Sequence, residues 1–246
     1  MWYHHRSMLI VAHRGASATA PESTEAAIRE AGRSGAQMVE LDVQMTQDGR
    51  LVIFHDDRLE RTTNGTGAVT AARYAALSRL DAGAWFHPRF AGARILLVSQ
   101  ALRLIPARMG VNLELKRTTR RRALLGRLLR LVRRARIRHR LLVSSFDPRL
   151  LTPLTATGLA RALICRRDPD RSLARAVQLG CAAWHPLHTL VTPRRVARAH
   201  ALGLAVHAWA IDDLSRARRL ARWGVDGIFT NDPASLMRRL ARRSGS

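Results

Sequence analysis

Short apolar runs alternate with helical stretches along nearly the whole chain, and polar residues collect where the apolar runs end. The run at residues 9–12 ends in His13, and the run at residues 51–54 ends in His55. The carboxyl ends of parallel strands meet at one edge, so such side chains would lie close together. About eight strand–helix units in 246 residues predict an α/β fold, the (β/α)₈ TIM barrel, with a doubly wound open sheet as the alternative.

The predicted strand at residues 38–43 contains two carboxylates, Glu40 and Asp42, within an apolar sequence. Residues two apart in a strand lie on the same face. Burying two like charges there is costly unless a cation neutralises them, and carboxylate oxygens suit Mg²⁺ or Ca²⁺. The spacing therefore indicates a divalent metal site, the alternatives being a solvated edge strand or the start of a helix.

A second pair of charged residues, Glu114 and Lys116, stands out against the composition. The 42 basic residues include one lysine, Lys116, and no glutamate follows Glu114. Both fall on one face of the strand predicted at residues 111–116. A compact ammonium and a third carboxylate at one strand end favour a role in the same site.

These side chains together predict phosphodiester chemistry. Three carboxylates can hold a divalent cation with positions left for substrate oxygens. Arg14 and Lys116 can bind a phosphate. His13 and His55 can act as an acid–base pair, because the ordinary pKa of histidine lies near 6.5. The pattern is typical of metal-assisted hydrolysis of a phosphodiester.

Residues 57–94 break the alternation with a turn-rich loop and a small aromatic cluster, and we interpret them as an insertion after the second strand unit. The segment is too short for a large core of its own. We therefore expect one domain over residues 1–246.

The formal charge of +24 is carried almost entirely by arginine, which indicates a compositional bias more than a nucleic-acid site. The predicted helix at residues 120–138 combines arginines with an apolar stripe. It favours packing against the barrel, with weak contact to an anionic membrane as the alternative. No apolar run reaches the length of a membrane span or a signal sequence, so we expect a soluble, cytoplasmic protein.

Several motifs resemble the glycerophosphodiester phosphodiesterase family. They are AHRG at 12–15, PE at 21–22, ELD at 40–42, HD at 55–56, LERTTNGTG at 59–67, LELK at 113–116, SFD at 145–147 and GVDGIFTNDP at 224–233. The resemblance extends nearly from end to end.

This resemblance implies a TIM barrel that hydrolyses glycerophosphodiesters to sn-glycerol 3-phosphate and an alcohol. It implies Mg²⁺ or Ca²⁺ on Glu40, Asp42 and Glu114, with His13 and His55 as general acid and base in an order left open. It also leaves open whether water or the neighbouring glycerol hydroxyl attacks phosphorus. Two further residues, Phe146 and Trp209, are candidates for substrate lining or for barrel packing.

The sequence departs from the family pattern at two places. Ser23 replaces the usual asparagine, and both residue types can cap a helix, so we expect little effect. Ser99 and Gln100 replace the usual acidic pair, which predicts altered support for the metal or for the insertion.

Two rival functions are compatible with the sequence. One is a related phosphodiesterase acting on lysophospholipids or another lipid diester. The other is a non-catalytic barrel that binds anions or nucleic acid through its arginines, although no specific nucleic-acid partner is expected. The leaving alcohol, the cation and the oligomeric state are not predicted.

Overall fold

The computed structural model describes residues 8–241, and its single sheet contains nine strands. In chain order they are β1 (Leu9–His13), β2 (Met38–Met45), β3 (Leu51–Ile53), β4 (Gly110–Leu115), β5 (Leu141–Ser145), β6 (Ala160–Cys165), β7 (Ala183–Pro186), β8 (Ala205–Ala208) and β9 (Gly227–Thr230). All except β3 run parallel, and β1 pairs with both β2 and β9. The eight parallel strands therefore close into a ring, which confirms the predicted barrel.

Helices connect the strands on the outside of the ring. They are α1 (Glu25–Arg33), α2 (Tyr74–Leu77), α3 (Val98–Leu104), α4 (Arg121–Ala135), α5 (Pro148–Leu151), α6 (Pro169–Gln178), α7 (Pro193–Ala201), α8 (Leu214–Arg222) and α9 (Pro233–Ala241). Side-chain caps begin several of them, such as Thr24 for α1 and Asp213 for α8. Helix α3 ends at Leu104, because Pro106 disfavours helical backbone before it.

The alternation of side chains along the strands produces two apolar cores. Outward-facing residues pack against the helices, as Leu41 and Leu113 do. Inward-facing residues fill the base of the barrel, and this inner core contains Leu9, Val11, Met38, Leu142, Ala162, Ala183, Ala205 and Phe229. The packed base means that the lumen is open only toward the carboxyl ends of the strands.

Strand β3 lies outside the ring, antiparallel to β2, and joins it through a turn at Asp48–Gly49. Gly49 has a φ of +78°, which glycine adopts without strain. The insertion that follows packs on β3 through a small separate core of Val52, Phe54, Leu59, Val69, Leu77, Ala82 and Ile95.

The apolar stripe of the arginine-rich helix α4 is buried against the barrel, with Leu124 and Leu128 fully enclosed. This placement agrees with the packing interpretation. Contact of its exposed arginines with anionic lipid stays a prediction. Among residues 8–241, no helix is long and apolar enough to cross a membrane.

Candidate active site

The charged residues singled out in the sequence meet at the open end of the barrel. Strand pairing sets His13 beside Glu40 and Asp42 beside Glu114. They surround a cavity of about 270 Å³. The cavity lining comprises His13, Arg14, Glu40, His55, Asn112, Glu114, Lys116, Phe146, Ile164, Arg166, His185, Leu187, His188, Trp209, Ala210 and Phe229. All the predicted site residues except Asp42 belong to this lining, and Asp42 contacts it through Lys116.

The three carboxylates form a compact cluster in which one oxygen of each lies within 4.8 Å of the others. Glu40 Oε2 accepts a hydrogen bond from the backbone N–H of Arg14 at 2.9 Å. Glu40 Oε1 and Asp42 Oδ2 are buried and accept no hydrogen bond. Buried carboxylate oxygens without donors are costly, and hard oxygen donors are what Mg²⁺ and Ca²⁺ prefer. The residues present therefore fit a divalent cation.

Burial and mutual repulsion perturb the ionisation of this cluster. Burial, followed by the charges of Asp42 and Glu114, raises the pKa of Glu40 well above its ordinary value. Burial and Asp42 raise the pKa of Glu114 to about 7. Burial alone would also raise the pKa of Asp42, but the cations Lys116 and Arg14 outweigh it and hold that pKa below its usual range. Without a bound cation, keeping all three carboxylates ionised is therefore unfavourable.

The stability of the metal-free protein should report this repulsion. An acid whose folded-state pKa is raised contributes stability below its ordinary pKa, and that contribution disappears as the pH rises through about 7 for Glu114. In chelator, the free energy of unfolding of the wild type relative to Glu114→Gln should therefore fall between about pH 5 and pH 8, by an amount on the order of 2 kcal/mol. Thermal unfolding at each pH measures this difference, and a difference independent of pH would contradict the expectation.

Two cations contact the carboxylate cluster. Lys116 Nζ donates to Glu114 Oε1 at 2.9 Å and to Asp42 Oδ1 at 3.1 Å. Arg14 Nη1 donates to Glu22 Oε1 at 3.0 Å, and its Nε lies 3.5 Å from Asp42 Oδ2. Both side chains are mostly buried, so they supply fixed positive charge beside the carboxylates.

A chain of hydrogen bonds fixes the orientation of His13. Asn231 Nδ2 donates to Asp212 at 2.7 Å, so the other amide atom of Asn231, Oδ1, faces His13 Nδ1 at 2.8 Å. Because that oxygen only accepts, Nδ1 of His13 carries the proton and Nε2 is left as a base. Burial and the adjacent Arg14 lower the pKa of His13 to about 4, which keeps the ring neutral at pH 7.

His55 is oriented by a carboxylate instead of an amide. Its Nδ1 lies 2.5 Å from Asp56 Oδ1, and Arg61 joins Asp56 to Glu22. Arg61 and His55 lower the pKa of Asp56 to about 2, while burial lowers the pKa of His55. The segment itself is anchored by Gln44, whose Nε2 donates to the carbonyl oxygens of Phe54 and Asp56 at 3.1 and 2.6 Å.

The two aromatic residues predicted from the sequence to serve in substrate lining or barrel packing lie at the mouth of the cavity. Phe146 and Trp209 pack edge to face with their centroids 5.7 Å apart, and Phe146 is 42% exposed. Arg166 lies over both rings. Both rings line the cavity, and Trp209 also packs against the inner apolar core.

Several lining residues were not predicted from the sequence. Asn112 is buried two positions before Glu114 on the same strand face, and neither of its amide atoms has a hydrogen-bond partner. The two-residue spacing from Glu114 is the feature of the sequence that could have identified Asn112 as a lining residue. His185 and His188 also line the cavity, although no motif in the sequence indicates them, and His185 Nε2 lies 3.2 Å from His207 Nδ1.

The departures from the family pattern have local explanations. Thr24 caps α1, whereas Ser23 has a φ of +61° and a buried hydroxyl without a partner. The cap is therefore Thr24 and not Ser23, and the backbone at Ser23 favours asparagine because asparagine tolerates the left-handed region. Gln100 Oε1 accepts from the backbone N–H of Leu97 at 2.7 Å and from Tyr74 at 3.1 Å, so it supports the insertion.

Comparison with known proteins agrees with this architecture. The model of the glycerophosphoryl diester phosphodiesterase family matches residues 13–235. A glycerophosphodiester phosphodiesterase of Caldanaerobacter subterraneus is 33% identical, over 96% of this chain and 99% of the relative. A second, from Bacillus altitudinis, is also 33% identical, with 91% and 94% of the two chains covered.

Solved structures show the same relationship. A phosphodiesterase of Oleispira antarctica, determined in complex with the product sn-glycerol-3-phosphate, superposes with a TM-score of 0.90 at 32% identity, covering 95% of this chain and 96% of the other. A glycerophosphodiester phosphodiesterase of Agrobacterium tumefaciens gives a TM-score of 0.82 at 30% identity, covering 94% and 99%. The chain therefore belongs to the glycerophosphoryl diester phosphodiesterase family.

Proposed function

We propose that this chain hydrolyses glycerophosphodiesters to sn-glycerol 3-phosphate and an alcohol, using a divalent cation, Mg²⁺ or Ca²⁺, and two histidines. The observation that carries the proposal is the cluster of Glu40, Asp42 and Glu114 in one cavity with two oriented imidazoles. The relative from Oleispira antarctica that holds sn-glycerol-3-phosphate supports the product assignment. Residues 1–246 then act as one domain, with residues 57–94 as its insertion.

Glu40, Asp42 and Glu114 would hold the metal. A divalent cation bound there would neutralise charge on the phosphate oxygens and make phosphorus easier to attack. Arg14 and Lys116 lie beside the same carboxylates and would bind the remaining phosphate oxygens. Phe146 and Trp209 would line the substrate at the mouth.

The partners of the two histidines favour different roles for them. His13 pairs with the neutral amide of Asn231 and lies beside Arg14, which favours its neutral form as general base for the attacking hydroxyl. His55 pairs with the carboxylate of Asp56, which partly offsets the lowering of its pKa by burial and would stabilise the imidazolium required of the general acid that protonates the leaving oxygen. This assignment holds whether the attacking hydroxyl belongs to water or to glycerol.

Product release from a substrate panel tests the proposed function. We expect chelator-sensitive release of sn-glycerol 3-phosphate from glycerophosphoglycerol and glycerophosphocholine, and little turnover of lysophosphatidylcholine. Exclusive turnover of the lysolipid would instead establish a lipid phosphodiesterase. No turnover of any diester, together with DNA binding that survives His13→Ala, would establish the non-catalytic alternative.

A further inference from the structure

The catalytic cavity continues into an open groove of about 750 Å³. The two share Glu114, Lys116 and Phe146. The base of the barrel is packed, so a substrate longer than the cavity can extend only toward the mouth. When the scissile phosphate binds beside Lys116, the leaving alcohol extends into the groove. This alcohol is the part that differs between substrates.

The groove carries an excess of positive charge. Its charged lining residues are Lys116, Arg117, Arg149 and Arg175 against Asp57, Glu114 and Asp147. Arg149 is held by Asp147 through two contacts of 2.9 and 3.0 Å, and Lys116 is held by Glu114 and Asp42. Among the described residues, Arg117 and Arg175 make no ion pair, and they outnumber the remaining anion, Asp57.

Besides Arg117 and Arg175, the arginine Arg166 lies over the two aromatic rings at the mouth of the cavity. Its guanidinium carbon lies 5.4 Å from the centroid of Trp209 and 5.7 Å from that of Phe146. Aromatic faces of this kind bind quaternary ammonium groups such as choline. Because Arg166 already covers both rings and repels another cation, this mouth disfavours a choline leaving group.

We propose that the mouth and groove form a leaving-group subsite that selects a second phosphate, with Arg166 and Arg175 as specificity-determining residues. The inference rests on the proposed function and narrows its substrate to diesters whose leaving alcohol is anionic. Exposed arginines attract an anionic substrate through water, where dissolved salt screens their charge. We therefore expect the selectivity to be an effect on kcat/KM that weakens as the salt concentration rises.

Three diesters with different leaving groups measure this selectivity. They are 1,3-bis(glycerophospho)glycerol, glycerophosphoglycerol and glycerophosphocholine, whose leaving alcohols are anionic, neutral and cationic. At low salt we expect kcat/KM, normalised per scissile bond, to fall in that order by about tenfold overall. In about 0.5 M NaCl the range should shrink to about twofold.

A charge-matched pair of variants assigns the effect to the mouth. Arg166→Gln with Arg175→Gln should reduce the anionic-to-cationic ratio by about threefold. The control, Arg103→Gln with Arg222→Gln, removes the same charge from exposed positions in α3 and α8 and should leave the ratio unchanged.

Equal kcat/KM for the anionic and cationic diesters at low salt would overturn the inference while leaving the proposed function intact. An equal loss of selectivity in the control pair would also overturn it, because the general charge of the protein would then be the cause. Failure to hydrolyse any of the three diesters would contradict the proposed function itself.

Discussion

Replacing Glu40 with glutamine should reduce metal-dependent turnover by roughly 10³-fold or more, since a cation bound at the site contributes several kcal/mol to transition-state stabilisation. Glu40 is buried, and its Oε1 accepts no hydrogen bond. Glutamine preserves the shape and the bond from the backbone N–H of Arg14 but removes the charge that attracts the cation. Initial rates with saturating Mg²⁺ or Ca²⁺ measure the loss.

The same substitution should leave the metal-free protein as stable as the wild type or more stable, because it removes repulsion with Asp42 and Glu114. Thermal unfolding in chelator separates this result from simple misfolding. Glu25→Gln, an exposed carboxylate in α1, is the matched control and should retain full activity. A Glu40→Gln protein that keeps metal-stimulated turnover within about tenfold of wild type would contradict the assigned ligand role.

Removing either histidine should reduce hydrolysis of glycerophosphoglycerol by about 10²–10⁴-fold, the usual contribution of a general acid or base. The two variants should differ with a p-nitrophenyl diester of glycerol 3-phosphate, whose leaving group needs no protonation. With this substrate, the hydrolysis rate of His55→Ala should be lower than that of the wild type by only about tenfold or less. The rate of His13→Ala should be reduced by the same factor as with glycerophosphoglycerol.

The pattern of losses decides between the two roles. If His13→Ala regains activity with the nitrophenyl diester and His55→Ala does not, then His13 is the general acid and His55 the general base. Equal losses for both variants with both substrates would contradict a role for either residue in protonating the leaving oxygen. Circular dichroism of the two variants provides the folding control.

The sequence was most informative where chemistry depends on spacing along one strand. Glu40 and Asp42 share a face because strand side chains alternate, and Glu114 and Lys116 do so for the same reason. Parallel strands then bring these faces to one end of the barrel, as the pairing of Asp42 with Glu114 shows. The barrel predicted from the alternation and the family indicated by the motifs are both confirmed.

The position of His55 could not be derived from the barrel alone. The strand that precedes it lies outside the ring, so the rule for barrel strand ends does not apply to it. His55 reaches the cavity because the hairpin turns back along β2 and Gln44 binds the backbone that follows β3. In the sequence, both the apolar run that ends at His55 and the family motif indicated this residue, but the first signal assumed a barrel strand, which β3 is not.

Contacts between distant residues were also beyond sequence reasoning. Asn231 orients His13 across 218 positions, and Arg61 of the insertion joins Glu22 to Asp56. Arg166 is one of many arginines in this chain, so the sequence does not distinguish it from the others. Its position over two aromatic rings is visible only in the structure. Such roles depend on tertiary packing, which no periodicity encodes.

The most direct test of the metal phosphodiesterase is to compare cation binding with turnover in the wild type. Calorimetric titration of chelator-treated protein with Mg²⁺ or Ca²⁺ gives the affinity, and release of sn-glycerol 3-phosphate from glycerophosphoglycerol at the same free cation concentrations gives the activity. We expect one cation per chain and an activity that rises with its occupancy. Full turnover by protein shown by elemental analysis to contain no metal would contradict the central claim.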